Sequence, residues 1–158
     1  MKKKISISIL VILFFFSLII YNKYYGIINS GKLPNFKYEN VNGLLIEKKH
    51  LNPYKKTLII YFSTECNSCK SQFIDNRIYT LKKKYNLIYI TSENNINTVK
   101  KFINYNKLKN ENITLLFDKK NKFSSDFKIG LYYQYPLFIT YEKNGKNKKI
   151  IEDISVLY

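Results

Sequence analysis

The two cysteines of the chain, Cys66 and Cys69, are separated by two residues and directly follow the apolar run Leu58–Phe62. The run has the length of a buried strand, and the apolar spacing from Lys70 onward is helical. The pair therefore marks a strand-to-helix junction, where unpaired backbone N–H groups and the helix dipole favour a thiolate at the first cysteine. A thiolate attacks disulfides, and a second thiol one turn later can resolve the mixed disulfide. The junction thus predicts an α/β fold and redox chemistry.

Two other interpretations of the cysteine pair stay open. A structural disulfide across so short a loop constrains little of the unfolded chain, because its effect grows with loop length. A zinc site normally needs four ligands, and the single histidine, His50, lies well upstream of the cysteines. We favour a redox-active dithiol, with inert thiols, a structural bridge or a metal site as the alternatives.

The N-terminus predicts a membrane anchor over residues 1–25. Lys2, Lys3 and Lys4 precede the apolar stretch Ile5–Tyr21, which at about 17 residues is near the lower limit for a bilayer core of about 30 Å. The lysines predict that the N-terminus stays inside and the rest is exported. A cleaved signal peptide is the alternative, but no small-x-small cleavage site follows and the chain has no alanine. We expect a single-pass protein of the cell membrane with its C-terminal domain outside the cytoplasm, as in a periplasm.

The exported part is expected to contain a polar linker at residues 26–35 and one compact domain at residues 36–158. Strand patterns cover residues 36–39, 44–47, 57–63, 87–91, 113–117, 136–142 and 148–154, and helical patterns cover 66–84, 97–108 and 121–127. The order ββ-βα-βα-βα-ββ predicts a mixed sheet with a parallel centre, flanking helices and an antiparallel hairpin at each end. Asn-Gly pairs at positions 42–43 and 144–145 predict the hairpin turns.

The net charge of +16 is not taken as a sign of nucleic-acid binding. Arg77 is the only arginine, whereas bidentate recognition of phosphate and guanine favours arginine over lysine. Lysine here accompanies abundant Asn, Ile, Tyr and Phe, the bias expected of an AT-rich genome. We therefore expect no nucleic-acid partner.

At these residues the chain resembles the thioredoxin superfamily, and within it the membrane-anchored extracytoplasmic thiol–disulfide oxidoreductases of the TlpA/ResA type. Tyr61–Lys70 is similar to the family's aromatic-x-x-Thr-x-Cys-x-x-Cys-Lys segment, and Leu33–Gly43 to its opening hairpin. Gly130–Lys146 resembles its cis-proline and Gly-Lys region, and Ile113–Phe127 its strand-helix insertion. The resemblance covers residues 33–152 and implies a thioredoxin-like fold.

The resemblance also implies roles for individual residues. Cys66 would be the nucleophile and Cys69 the resolving thiol, while Tyr135 and the cis-proline Pro136 would bind substrate beside the disulfide. No cofactor is implied, because the cysteine pair is itself the redox centre. The implied partners are dithiols or disulfides of exported proteins and a membrane or extracytoplasmic thiol electron donor, with reduction of exported disulfides as the expected direction.

The chain departs from the family at several positions. Glu65 replaces the tryptophan before the first cysteine, and its charge should oppose thiolate formation unless exposure screens it. Gln72 and Ile60 stand where related proteins carry acidic residues, so proton transfer to Cys69 by a nearby carboxylate is not expected. Residues after Ile154 leave little of the family's C-terminal helix, which predicts incomplete cover of one sheet face.

Two further functions are alternatives to the oxidoreductase. A peroxiredoxin-like peroxidase needs a Ser or Thr three residues before its cysteine, as Ser63 is, and a supporting arginine, for which only Arg77 is available. An exported non-catalytic binding or accessory module, such as a copper chaperone, would need Cys-x-x-x-Cys and a distant histidine near the C-terminus. Neither of those features occurs in the chain.

Overall fold

The computed structural model of the protein describes residues 12–19, 31–69, 78–105, 114–130 and 133–158. Residues 12–19, the described part of the predicted anchor, are helical with exposed side chains. Among the described residues, no helix has both the length and the apolar character needed to cross a bilayer. The rest of the predicted anchor lies outside the described residues, so the anchor and its orientation stay predictions.

The described residues form a mixed sheet with helices between its strands. The strands are β1 (Lys37–Asn40), β2 (Leu45–Glu47), β3 (Lys56–Phe62), β4 (Tyr85–Thr91), β5 (Thr114–Phe117), β6 (Leu137–Tyr141) and β7 (Lys149–Ile151), and the helices are α1 (Ile78–Lys84), α2 (Ile96–Tyr105) and α3 (Phe123–Asp126). The strand order is β2-β1-β5-β4-β3-β6-β7. The pairs β3–β4 and β4–β5 are parallel, and β1–β2, β1–β5, β3–β6 and β6–β7 are antiparallel. The predicted element order and mixed sheet are confirmed.

Strand β3 is the centre of the fold, and its successive side chains enter two separate cores. On what we call the cysteine face, its Leu58, Ile60 and Phe62 are buried. That face packs on Cys69 and on buried residues of α1 and α2, namely Leu81, Val99 and Phe102. On the opposite, tyrosine face, Ile59 and Tyr61 of β3 pack with Phe36, Tyr38, Phe123, Phe127 and Tyr141. Helices α1 and α2 therefore lie on the same side of the sheet, as the right-handed rule for parallel β3–β4 and β4–β5 connections predicts.

The predicted N-terminal hairpin is present, with a loop one residue longer than the two-residue turn expected. Asn40 and Leu44 close the loop through a backbone hydrogen bond of 2.9 Å, which leaves residues 41–43 between them. The Asn40 side-chain oxygen accepts the N–H groups of Asn42 and Leu44, each at 2.9 Å. Gly43 adopts a φ of +78°, the conformation that three-residue hairpin loops require at this position.

The segment before β1 packs on the final hairpin. Leu33, inside the predicted linker, is only 4% exposed, and its N–H donates to the carbonyl of Gly145 at 2.7 Å. Gly145 has a φ of +68°, and a Cβ on it would lie 2.8 Å from Leu33 Cβ. A glycine is therefore needed at position 145 both for backbone conformation and for close approach, and the domain core includes Leu33.

The C-terminal residues form a short 3-10 turn, Ile154–Leu157, begun by the Asp153 side chain accepting the Ser155 N–H. The incomplete cover expected on one sheet face is not observed among the described residues. Phe138 of β6 and Ile151 of β7, on the cysteine face, are 1% and 8% exposed. That expectation was wrong because Ile154 and Leu157 fold back onto the same core.

Candidate active site

The candidate site is a disulfide between Cys66 and Cys69, directly after β3. The two Cα atoms are 5.3 Å apart, within the usual range for a disulfide. Residues 67–69 are helical, as are those of Ile78–Lys84, in agreement with the helix predicted over residues 66–84. Lys70, Gln72 and Arg77, on which parts of the sequence argument rest, lie outside the described residues.

The two cysteines differ in their access to solvent. Cys69 is 0% exposed and belongs to the core of the cysteine face. Cys66 is half-buried and only borders that core. An external thiol or disulfide can therefore reach Cys66, whereas Cys69 is shielded by the packed sheet and helices.

The sulfur of Cys66 lies among three polar groups. It accepts the backbone N–H of Cys69 at 3.1 Å. It is also 3.1 Å from the hydroxyl oxygen of Ser68 and 3.5 Å from the carbonyl oxygen of Tyr135. The two donors, N–H and O–H, can stabilise negative charge on this sulfur when the disulfide is opened.

The Tyr135 carbonyl reaches the disulfide because β6 pairs with β3. Tyr61, near the end of β3, lies opposite Leu137, so the residues just before β6 lie beside the residues just after β3. The Tyr135–Pro136 peptide bond is cis, in line with the resemblance. Pro136 lines a cavity of about 520 Å³ together with Tyr133 and Leu137.

The structure therefore brings together Cys66, Cys69 and Tyr135, with Pro136 in the same loop. Their catalytic and substrate-binding roles stay predictions. Ser68 was missed by the sequence analysis, which treated it only as a spacer between the cysteines. Its hydroxyl donates to the Tyr135 carbonyl at 3.1 Å. The sequence offered one signal for Ser68, namely a hydroxyl-bearing residue between the two cysteines.

Two acidic residues follow the ends of β3 and β4. Glu65, directly before the first cysteine, has an exposed side chain, so solvent screens its charge. Glu93 accepts the hydroxyl of Thr64 at 3.3 Å and the N–H of Asn95 at 2.8 Å. We therefore assign neither carboxylate a part in thiol chemistry.

A third carboxylate, that of Asp118, is buried on the tyrosine face. It is 1% exposed and accepts the N–H groups of Lys122 and Phe123 at 2.8 and 2.9 Å. The Tyr61 hydroxyl also donates to it at 3.4 Å, and burial raises the pKa of that phenol well above its usual range. The Asp118 carboxylate thus binds the N–H groups at the start of α3, and we assign it no part in the chemistry of the disulfide.

No group of three or more His, Cys, Asp and Glu side chains in the described ranges is placed to hold a metal ion. His50 lies before β3 and its Nδ1 accepts the N–H of Glu47 at 3.0 Å. The cysteines follow the other end of that strand, which is about 20 Å long at the usual rise per residue. The histidine and the two sulfurs therefore do not form one site.

A mixed sheet with a disulfide at its central strand-to-helix junction, beside a cis-proline loop, is a thioredoxin-like fold. Solved structures confirm this fold. A thioredoxin domain of a thiol-disulfide oxidoreductase from Bacteroides vulgatus is 16% identical, with a TM-score of 0.64 over 82% of this chain and 92% of that chain. A secreted Mycobacterium tuberculosis disulfide oxidoreductase homologous to E. coli DsbE is 14% identical, with a TM-score of 0.61 over 75% of this chain and 84% of that chain.

A thiol-disulfide oxidoreductase from Bacteroides fragilis is also similar, at 14% identity and a TM-score of 0.64 over 80% of this chain and 95% of that chain. The sequence matches no protein-family model and no curated protein sequence. The three structural neighbours are thiol–disulfide or disulfide oxidoreductases, and this chain carries the Cys66–Cys69 disulfide that such chemistry uses.

Proposed function

We propose that the protein is a thiol–disulfide oxidoreductase in which Cys66 is the nucleophile and Cys69 the resolving thiol. The observation that carries the proposal is the asymmetry of the pair. Cys66 is half-buried and its sulfur accepts the Cys69 N–H, whereas Cys69 is 0% exposed. A thiolate at Cys66 is both accessible and supplied with a donor, which are the two requirements for attack on an external disulfide.

In the reducing direction the reaction proceeds by two exchanges. The Cys66 thiolate attacks one sulfur of a substrate disulfide, and the other substrate sulfur leaves as a thiolate that takes up a proton. Cys69, deprotonated, then attacks Cys66 Sγ, which forms the Cys66–Cys69 disulfide and releases the second substrate sulfur. The substrate disulfide gains two electrons, and an external dithiol restores the reduced pair as it becomes a disulfide itself.

Substrate docking is assigned to Tyr135 and Pro136. The Tyr135 carbonyl oxygen is 3.5 Å from Cys66 Sγ, so a polypeptide N–H bound to it would hold a cysteine near the nucleophile. Pro136 and the cavity it lines offer space for a neighbouring side chain of the substrate. We propose protein disulfides as the substrate class, with no cofactor beyond the cysteine pair.

The cysteine roles can be tested by trapping. Cys69→Ser should accumulate disulfide-linked adducts on non-reducing gels, because a hydroxyl cannot resolve the mixed disulfide. Cys66→Ser should accumulate none, because the remaining thiol is fully buried. Equal trapping by both variants, or trapping by Cys66→Ser alone, would contradict the assignment.

The two alternative functions are separated by paired assays of the same chain. An oxidoreductase should reduce insulin disulfides in the presence of a dithiol and consume little hydrogen peroxide, whereas a peroxidase should do the reverse. The Ser63 hydroxyl oxygen, which a peroxidase would use beside Cys66, accepts the N–H of Glu65 at 3.3 Å. A chain inactive in both assays would favour a binding module.

We further propose that the domain works outside the cytoplasm, held to the cell membrane by residues 1–25, and acts on exported proteins. The support is the order of Lys2–Lys4 and the apolar stretch Ile5–Tyr21. Protease added to intact spheroplasts should digest the domain while the protein fractionates with membranes. Protection from the protease would refute the orientation, and a soluble form beginning near Gly31 would establish cleavage.

A further inference from the structure

The hydroxyl of Ser68 lies between the two halves of the proposed site. Its Oγ is 3.1 Å from Cys66 Sγ and 3.1 Å from the carbonyl oxygen of Tyr135. One half carries the reacting sulfur and the other the proposed substrate acceptor. A serine hydroxyl has a single proton to donate, so it can make only one full hydrogen bond to these two acceptors at a time.

In the disulfide state the Ser68 hydroxyl donates its proton to the Tyr135 carbonyl. Neither disulfide sulfur carries a proton, so Ser68 is the only donor among Ser68 Oγ, Cys66 Sγ and Tyr135 O. A neutral sulfur is a weak acceptor, whereas a backbone carbonyl is a strong one. Ser68 therefore donates to Tyr135 while Cys66 is oxidised.

Reduction reverses this preference. A donor dithiol becomes a disulfide and gives two electrons to the Cys66–Cys69 bond, whose sulfurs become a Cys66 thiolate and a Cys69 thiol. Of the two dithiol protons, one stays on Cys69 and the other is released to solvent. The thiolate is a charged acceptor, and hydrogen bonds to charged groups are about twice as strong as neutral ones.

We propose that Ser68 is a positioning residue whose hydroxyl turns from the Tyr135 carbonyl to the Cys66 thiolate when the disulfide is reduced. The proposal rests on the function proposed above. It ties two events together, because the movement that stabilises the nucleophile also frees a lone pair of the substrate-binding carbonyl. The reduced protein then offers both groups to a substrate disulfide, and reoxidation returns the hydroxyl to the carbonyl and helps the product leave.

The test measures Cys66 directly. Removal of the hydroxyl in Ser68→Ala should raise the pH midpoint for alkylation of the reduced protein by iodoacetamide. One pH unit below the wild-type midpoint, the rate should fall threefold to tenfold. Ser68→Thr keeps the hydroxyl and should retain the wild-type midpoint, and Asn67→Ala, a change at the exposed neighbouring residue, should do the same.

The redox equilibrium supplies a second measurement. Ser68→Ala loses a bond to a charged sulfur in the reduced state and a weaker neutral bond in the oxidised state. Its disulfide should therefore be favoured threefold to tenfold in equilibrium with glutathione, and tenfold corresponds to about 30 mV for a two-electron couple. An unchanged midpoint and equilibrium, or equal shifts in Ser68→Ala and Ser68→Thr, would overturn the proposal.

These outcomes are distinct from failure of the proposed function. If the wild-type protein shows no reversible disulfide and Cys69→Ser traps no partner, the oxidoreductase proposal itself fails. If the disulfide is reversible and Cys69→Ser traps a partner, but Ser68→Ala behaves as wild type, only the role of Ser68 is refuted. Circular dichroism of each variant checks that the fold is intact, which we expect because Ser68 is exposed.

Discussion

The two faces of the central sheet differ in the polar groups that they bury. The cysteine face contains the buried thiol position, Cys69. The tyrosine face buries Tyr38, Tyr61 and Tyr141, and the first two of these donate their hydroxyls to the carboxylates of Asp126 and Asp118 at 2.9 and 3.4 Å. Lys148 is also buried near that face, where its ammonium donates to the carbonyls of Phe127 and Lys128 at 3.2 and 3.1 Å.

The difference separates the thiol chemistry from the buried tyrosines. Cys69 is 0% exposed and lies in the core of the cysteine face, where external reagents cannot reach it. On the other face, burial raises the pKa values of Tyr38, Tyr61 and Tyr141 well above the ordinary value. Thiol chemistry and the pH limit of folding should therefore depend on opposite faces.

The largest effect of a single substitution is expected from a cavity on the tyrosine face. Phe127 is 2% exposed, with ring centroids 4.6 Å from Phe123 and 5.9 Å from Phe36. Phe127→Ala should lower the free energy of unfolding by about 3–5 kcal/mol in urea titrations. The alkylation midpoint of Cys66 should not move. Tyr54→Ala, at an 80% exposed position, is the control and should change stability by less than about 0.5 kcal/mol. A shifted midpoint in folded Phe127→Ala would contradict independent faces.

Alkaline pH should also lower the free energy of unfolding, through the tyrosine face. Tyr133, which packs against the same face, also has a pKa raised by burial. The four raised tyrosine pKa values mean that the folded state keeps protons that the unfolded chain loses above about pH 10, so stability falls as pH rises. The free energy of unfolding should fall by up to about 5 kcal/mol per pH unit if all four remain protonated when folded. Burial lowers the pKa of Lys148, which acts in the opposite sense, but only up to about pH 10.4. Urea titrations from pH 8 to 11.5 measure this, and a flat profile above pH 10.5 would refute it.

Loss of the buried carboxylate at Asp118 should have a smaller effect. Asp118→Asn removes the charge that strengthens bonds from the Lys122 and Phe123 N–H groups, at a cost of about 2 kcal/mol. Glu142→Gln is the matched exposed change, since its ion pair with Lys56 at 2.9 Å lies in solvent and contributes less than about 1 kcal/mol. Equal losses in the two variants would show that burial of Asp118 carries no extra stabilisation.

The smallest expected effect is a gain in stability. Among the described residues, the buried Tyr141 hydroxyl has no hydrogen-bond partner. Tyr141→Phe should therefore stabilise the protein by about 1 kcal/mol and reduce the alkaline slope by about 1.4 kcal/mol per pH unit. Tyr38→Phe should instead destabilise it, because that hydroxyl donates to Asp126. If both variants lose stability, the Tyr141 hydroxyl has a partner in solution.

Much of the fold could be predicted because its signals are local. The apolar run of β3, the Asn-Gly pairs of the two hairpins and the cysteine spacing each describe a few neighbouring residues. These segments then permit few sheet orders, since parallel strands joined by helices must cross over with one hand. The order of elements and the position of the disulfide follow from these constraints.

The features that escaped prediction depend on distant contacts or on conformations without a sequence pattern. The bond from Ser68 to Tyr135 joins residues 67 positions apart, and nothing near Ser68 indicates its acceptor. Leu33 was predicted to lie in a linker because its neighbours are polar. It is instead buried, because Gly145 has no side chain and lets Leu33 pack closely against it. The cover of the cysteine face by Ile154 and Leu157 was missed because a turn so short carries no helical periodicity.

The pairing of β3 with β6 sets the time at which the site can exist. Cys66 and the Tyr135 carbonyl are 69 residues apart in the chain, which at about 5–20 residues per second is a delay of some 3–14 s during synthesis. Through that interval both thiols have left the ribosome without the carbonyl that completes their surroundings. Contacts of such long sequence separation also form late in folding. Cys66 should therefore reach its final reactivity only when β6 has paired with β3. Its alkylation rate in a nascent chain would report when that pairing occurs.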